Sequence, residues 1–145
     1  GEYIASQIFD IELSDSATNK GSDGCFQTGN LSNKQVNVKF YGKREGILDV
    51  NITSSPPDYY LVFTGPYSPA SSSKGTSRPW VIESVFLFDH KKLFKILKNK
   101  GLQIGVATSV SKEHWQKAEL YPNNTNDSIL LSDEQKASLS IFNQT

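Results

Sequence analysis

The seven residues 35–41, QVNVKFY, constrain the fold more than any other stretch of this chain. Apolar and polar side chains alternate, so as a strand Val36, Val38 and Phe40 fall on one face and Gln35, Asn37, Lys39 and Tyr41 on the other. A core-side apolar row thus carries amides, an ammonium and a phenol on its back. A preceding strand, 22–27, opens in the context Gly21-Ser22-Asp23-Gly24, where a short acidic side chain is exposed at a strand start. The pairing of these two strands brings Asp23 and Lys39 towards one pocket.

The rest of the chain arranges itself around that pair. Residues 2–9 place Ile4, Ala5, Ile8 and Phe9 at helical spacing, and 10–13 either extend the helix or start a strand. Polar 14–21 reads as a loop, 28–30 as a turn, 42–46 as a charged loop, and 47–52 as a short strand or turn. Pro56-Pro57 leads into a buried strand at 58–64, DYYLVFT, followed by a loop over 65–79 with its tip at 71–75. A fourth strand is expected at 80–88. Asp89 then caps a helix, 90–100, that buries Leu93, Phe94, Ile96 and Leu97 and stops at Gly101. A fifth strand at 102–108, a helix at 111–120 around Trp115 and Ala118, and a polar linker at 123–127 complete the body. Ser132 and Gln135 have the capping-box spacing of a terminal helix. The expected class is α/β of the mixed α+β kind, with a central mixed sheet of about five strands flanked by helices. No G-x-G-x-x-G loop points to a dinucleotide fold.

The 145 residues suit one domain. Their 15 basic and 15 acidic side chains cancel, so only local charge can speak for a polyanionic partner. A single cysteine, Cys25, excludes an internal disulfide framework and a multi-cysteine zinc site, and a reducing cytoplasm is the simplest setting. No apolar run approaches the roughly 20 residues that span a bilayer, so no membrane partner is expected. The chain opens on Gly1 and lacks Met, as a processed form or an excised domain does. Against the cytoplasm stand N-x-S/T triplets at Asn30, Asn51, Asn123, Asn126 and Asn143, where chance gives about two. They keep a secreted glycoprotein module open as an alternative.

Glu2 on a first helix, the polar loop Ala17-Thr18-Asn19-Lys20-Gly21 running into Ser22-Asp23-Gly24, and a strand carrying Asn37-Val38-Lys39 resemble the PD-(D/E)xK nuclease superfamily. That group includes restriction endonucleases and Holliday-junction resolvases. The segment 104–109, followed by Trp115 and Tyr121-Pro122, is similar to its small, poorly characterised prokaryotic members. The likeness covers residues 2–122 by order of elements, on a short and degenerate motif. It implies a restriction-endonuclease-like αβββαβ core in 1–122, with 123–145 as linker and C-terminal helix. It also implies Mg²⁺-dependent hydrolysis of DNA phosphodiesters in a restriction or defence system, with Mn²⁺ as an alternative ion. Asp23 takes the metal-binding aspartate position and Lys39 the lysine position. Asn37 stands where the family usually has Glu or Asp. That departure leaves open an inactive member that binds nucleic acid or a protein partner.

The chemistry agrees with such a set. Mg²⁺ takes an octahedron of oxygens, often with only one or two carboxylates. Asp23, the Val38 carbonyl and the Asn37 amide oxygen form the expected ligands, with Glu2 as second carboxylate and Glu12 as the weaker choice. Lys39 orients the attacking water and offsets charge building on the phosphate. Gln35 lines the site, and Lys43 and Arg44 meet the nucleic-acid backbone ahead of the lysines of the 90–100 helix. Double-strand cleavage would call for a homodimer, and a flanking domain would supply specificity. Each residue also has a plainer role. An Asp between glycines is commonly a turn former, a Gln-x-Asn-x-Lys row is the wet face of an edge strand, and Glu2 suits a helix dipole. His90 and His114 are isolated and carry no catalytic assignment.

Overall fold

The computed structural model describes residues 2–14, 22–42, 46–50, 55–65, 81–105 and 107–142. Helix α1 (Glu2–Phe9) ends where Asp10 adopts a left-handed φ of 54°, which turns the chain into β1 (Ile11–Leu13). Residues 10–13 therefore start a strand and do not lengthen the helix. β1 pairs antiparallel with β2 (Gly24–Phe26), and β2 with β3 (Gln35–Tyr41), around a 3-10 turn at Gly29–Leu31. After β4 (Ile47–Leu48) the chain returns as β5 (Tyr59–Thr64), parallel to β3. Between β3 and β5 the described residues hold β4 and no helix.

β6 (Ser84–Asp89) continues the sheet antiparallel and leads into α2 (His90–Asn99). β7 (Thr108–Ser109), α3 (Lys112–Ala118), β8 (Glu119–Tyr121) and α4 (Asp133–Ile141) complete the order. The main sheet runs β1-β2-β3-β5-β6-β8, with one parallel pair, while β4 and β7 form a separate two-stranded ladder. The protein is a mixed α+β fold built on six strands.

The alternation in β3 divides the core. Val36, Val38 and Phe40 join Leu61, Phe63, Val85 and Leu87 under α1 and α4, with Phe40 stacked on Phe63 at 4.5 Å between ring centres. The other face sets Tyr60, Val62, Phe86 and Phe88 against Leu93 and Leu97 of α2, Trp115 and Ala118 of α3, Leu48 of β4 and Val50 just after it. Asn37, Lys39 and Tyr41 belong to this second face.

Several expectations change. The strand expected at 102–108 shrinks to Thr108–Ser109, because its partner is the two-residue β4. The helix expected over 111–120 stops at Ala118, and Glu119–Tyr121 becomes the sixth strand of the sheet, paired with β6. The strand foreseen at 80–88 begins only at Ser84. On α2, His90, Leu93 and Leu97 are buried, whereas Phe94 and Ile96 are half-buried. The expected loop tip at 71–75 and the charged residues 43–45 lie outside the described residues. Among the described residues no helix is long and apolar enough to cross a membrane.

Candidate functional site

β2 is three residues long and β3 seven, so the second half of β3 runs past the end of its partner. Asp23 sits at that end. Its backbone N–H donates to the Val36 carbonyl at 2.9 Å and its own carbonyl accepts from Ser14 at 2.8 Å, which fixes the residue from both sides. Its side chain then takes over from the ladder: Oδ2 accepts the Val38 N–H at 2.7 Å. Ser22 braces the turn by donating to the Gly24 carbonyl at 3.0 Å. Glycine after Asp23 has a steric cause. A Cβ at Gly24 would run into the Glu12 carbonyl of β1, so the β1–β2 approach depends on its absence.

The antiparallel register pairs Gly24 with Val36, and Asp23, one residue beyond, bonds to the Val36 carbonyl and the Val38 N–H on either side of Asn37. Since the Val36 carbonyl points at β2, the Val38 carbonyl two residues on points at the same edge, now past the end of β2. Asp23, Asn37 and the Val38 carbonyl, expected as neighbours, are gathered at one strand end. Glu2, from the first turn of α1, joins them. Partial burial pushes its carboxyl above the usual value, and the Asp23 charge and a hydrogen bond between the two carboxyls push it further. Two carboxyls so placed share a proton or a cation. Glu12 is exposed on β1 opposite Cys25, and Glu2 is the acid that reaches Asp23.

Lys39 lies on the second face of β3 with its side chain only 12% exposed. Its ammonium is 3.8 Å from Asp49 Oδ2 and 5.4 Å from the centre of the Tyr60 ring. Burial lowers its pKa, while Asp49 and then Asp23 act to hold the proton. The two residues that opened the sequence reading are therefore within electrostatic reach of each other.

Asp49 and Tyr41 are the members that sequence reasoning missed. Asp49 follows β4 between the fully buried Leu48 and Val50, and the Tyr41 hydroxyl accepts its backbone N–H at 3.0 Å. Burial raises the Tyr41 pKa. The run Ile47-Leu48-Asp49-Val50, one acid among apolar residues, was the available signal. Its destination beneath β3 has no local signature. Gln35 lies farther down β3: its N–H donates to Asp58 Oδ2 at 2.8 Å and its carbonyl accepts from Asp58 at 3.0 Å. Lys43 and Arg44 fall outside the described residues. His90 is buried and bonded through Nδ1 to the Tyr60 hydroxyl at 2.9 Å, which makes it a structural link.

Among the described residues no three His, Cys, Asp or Glu side chains gather as a metal-holding group. The oxygens that the backbone brings to this strand end are the carboxyls of Glu2 and Asp23 and the Val38 carbonyl, with Asn37 between the two residues that Asp23 bonds. That set fits Mg²⁺, which commonly keeps several waters and draws one or two carboxylates from the protein. It suits Zn²⁺ poorly, since no imidazole or thiolate is among them. Compared with models of known protein families and with curated proteins, the sequence matches none.

Proposed function

We propose that this chain is a divalent-metal-dependent DNA endonuclease domain with a restriction-endonuclease-like core, acting in a cytoplasmic restriction or defence system. One observation carries the reading: Asp23, held by the Val38 N–H at 2.7 Å at the open end of β2, lies beside the Glu2 carboxyl and within electrostatic reach of the half-buried Lys39. Holding two acids together without a cation raises one of their pKa values. Natural sites accept that tension where a cation or a proton is to be bound.

Mg²⁺, or Mn²⁺ in its place, would be held by Asp23, Glu2 and the Val38 carbonyl, with Asn37 as a neutral ligand, and would supply charge neutralisation at the phosphate. Asp23 is fixed for this by the Val38 N–H. Lys39 orients the water and donates towards the phosphate oxygens, its lowered pKa bringing it nearer to proton exchange at neutral pH. Lys43, Arg44 and Gln35 remain the proposed contacts to DNA. Double-strand cleavage would require a homodimer, and a flanking domain would bring sequence specificity.

Incubation of supercoiled plasmid with Mg²⁺ or Mn²⁺ should yield nicked circles. Asp23→Asn, which keeps an acceptor for the Val38 N–H, and Lys39→Ala should each lower the rate by on the order of 100-fold. Mg²⁺ should also raise the melting temperature of the wild type and leave that of Asp23→Asn unmoved. Nicking unchanged in both variants removes the assignment. A second reading, an inactive nuclease-fold domain, is favoured by the 3.8 Å approach of Asp49 to Lys39 and by an amide at position 37. It predicts salt-sensitive DNA binding with no nicking under either metal.

A further inference from the structure

The chain is neutral as a whole, yet its charge is unevenly placed. Residues 90–112 contain Lys91, Lys92, Lys95, Lys98, Lys100 and Lys112 and no acid, which leaves nine basic residues against all fifteen acidic ones elsewhere. Five of these lysines lie on α2 or at its C-cap, Lys100, and all five are exposed. Lys91 and Lys95 are four apart, Lys92 and Lys95 three, Lys95 and Lys98 three. Like charges at those spacings face one another along a helix and destabilise it. A face that only needs solvation is usually relieved by interspersed Glu or Asp. Two acids border the run in sequence, and each has a partner of its own. Asp89 caps the helix by accepting the Lys92 N–H at 3.1 Å, and Glu113 on α3 pairs with Lys117 at 3.2 Å.

We infer that α2 is a docking ridge for the phosphate backbone of duplex nucleic acid. The row Lys91, Lys95, Lys98 runs about 10 Å along the helix, enough to follow about three consecutive phosphates of one strand. The apolar side of α2, Leu93 and Leu97, is buried in the protein's own core, so no apolar face remains to enter a membrane. Single-strand binding calls for exposed stacking rings. The one aromatic on α2 besides His90 is half-buried Phe94, tilted against the His90 ring at 5.7 Å and covered by the Lys98 ammonium at 5.8 Å. A duplex backbone is what this surface fits.

The ridge also has a place relative to the candidate site. Tyr60 hydrogen-bonds His90, the first residue of α2, and carries the Lys39 ammonium over its ring. One side chain thus joins the start of the ridge to the lysine. At the other flank a cleft of about 330 Å³ opens between α2 and α3, with Asp89, Lys92 and Lys117 in its lining. The inference rests on α2 alone and holds for an active or an inactive domain.

The test is fluorescence anisotropy of a labelled 30-base-pair duplex in EDTA, titrated with the protein at several NaCl concentrations, so that cleavage plays no part. Lys91→Gln/Lys95→Gln is compared with the charge-matched control Lys34→Gln/Lys136→Gln, all four positions being exposed. The α2 pair should weaken binding at 0.1 M salt by on the order of tenfold or more and reduce the salt slope by about two. The control should stay within about twofold of wild type on the same scale. Equal losses in the two variants overturn the inference. So does absence of duplex binding by the wild type at low salt, tighter binding to a single strand, or preferential capture by phosphatidylserine vesicles. Unchanged circular dichroism shows that the α2 variant remains folded. Failed nicking with intact α2-dependent binding would sink the nuclease reading alone.

Discussion

Burial sets the character of Lys39. An ammonium 12% exposed loses hydration, and Asp49 at 3.8 Å together with the charge of Asp23 does not restore all of it, since the net direction of its pKa is down. Lys39 therefore holds its charge at a cost in hydration. Replacing it with Met keeps the length of the stem and its packing over Tyr60 while removing the charge. Lys39→Met should therefore unfold at the same or a higher urea midpoint than wild type while losing the nicking activity proposed for the site. A fall in midpoint equivalent to about 1 kcal/mol or more would mark the Lys39–Asp49 contact as a structural ion pair of more than surface strength. Glu2 shows the same tension in an acid. Its raised pKa means that the folded state holds the proton more tightly, so its favourable contribution exists at low pH and is lost as pH rises above the usual carboxylate value.

At the scale of elements, the unequal lengths of β2 and β3 make the site. Strand alternation was legible, because side-chain period is a local property, and it separates Val36, Val38 and Phe40 from Asn37, Lys39 and Tyr41 on the two faces of β3. The α2 boundaries were equally plain. Asp89 accepts from Lys92 as an N-cap, and Gly101, at φ 68°, takes the left-handed position past the end. Asp89→Ala should lower stability by about 1 kcal/mol in a urea titration, and no loss would show that the capping bond is replaced by water. What stayed hidden was non-local. Residues 119–121 continue a helical pattern around Trp115 and Ala118, and only the free edge of β6 draws them into the sheet. Asp49 looks like a turn residue until β4 folds under β3. The interior of 102–108 has strand composition but no strand beside it, so propensity alone misleads there.

The whole molecule is a sheet with two unlike sides. α1 and α4 close one side, and α1 brings Glu2 to the strand end. α2 and α3 close the other, where Lys39, Tyr60 and His90 form a line from β3 to the start of the lysine ridge. His90, at the end of this line, is buried against the Tyr60 ring. Burial lowers the His90 pKa, against the opposing pull of Asp89 and Asp58, while its Nδ1 is engaged by the Tyr60 hydroxyl and its backbone N–H donates to the Asp58 carbonyl. In the unfolded chain the imidazole takes up its proton near its ordinary value of about 6.5. The unfolded state therefore binds more protons between that value and the lower folded one. Stability should fall as the pH drops below about 6.5 through this window. His90→Gln retains a partner for the Tyr60 hydroxyl and cannot titrate, so its urea midpoint between pH 7 and 5 should decline less than that of the wild type. Parallel decline of the two proteins would mean that the acid sensitivity lies in the carboxylates, and that the Tyr60–His90 link survives protonation.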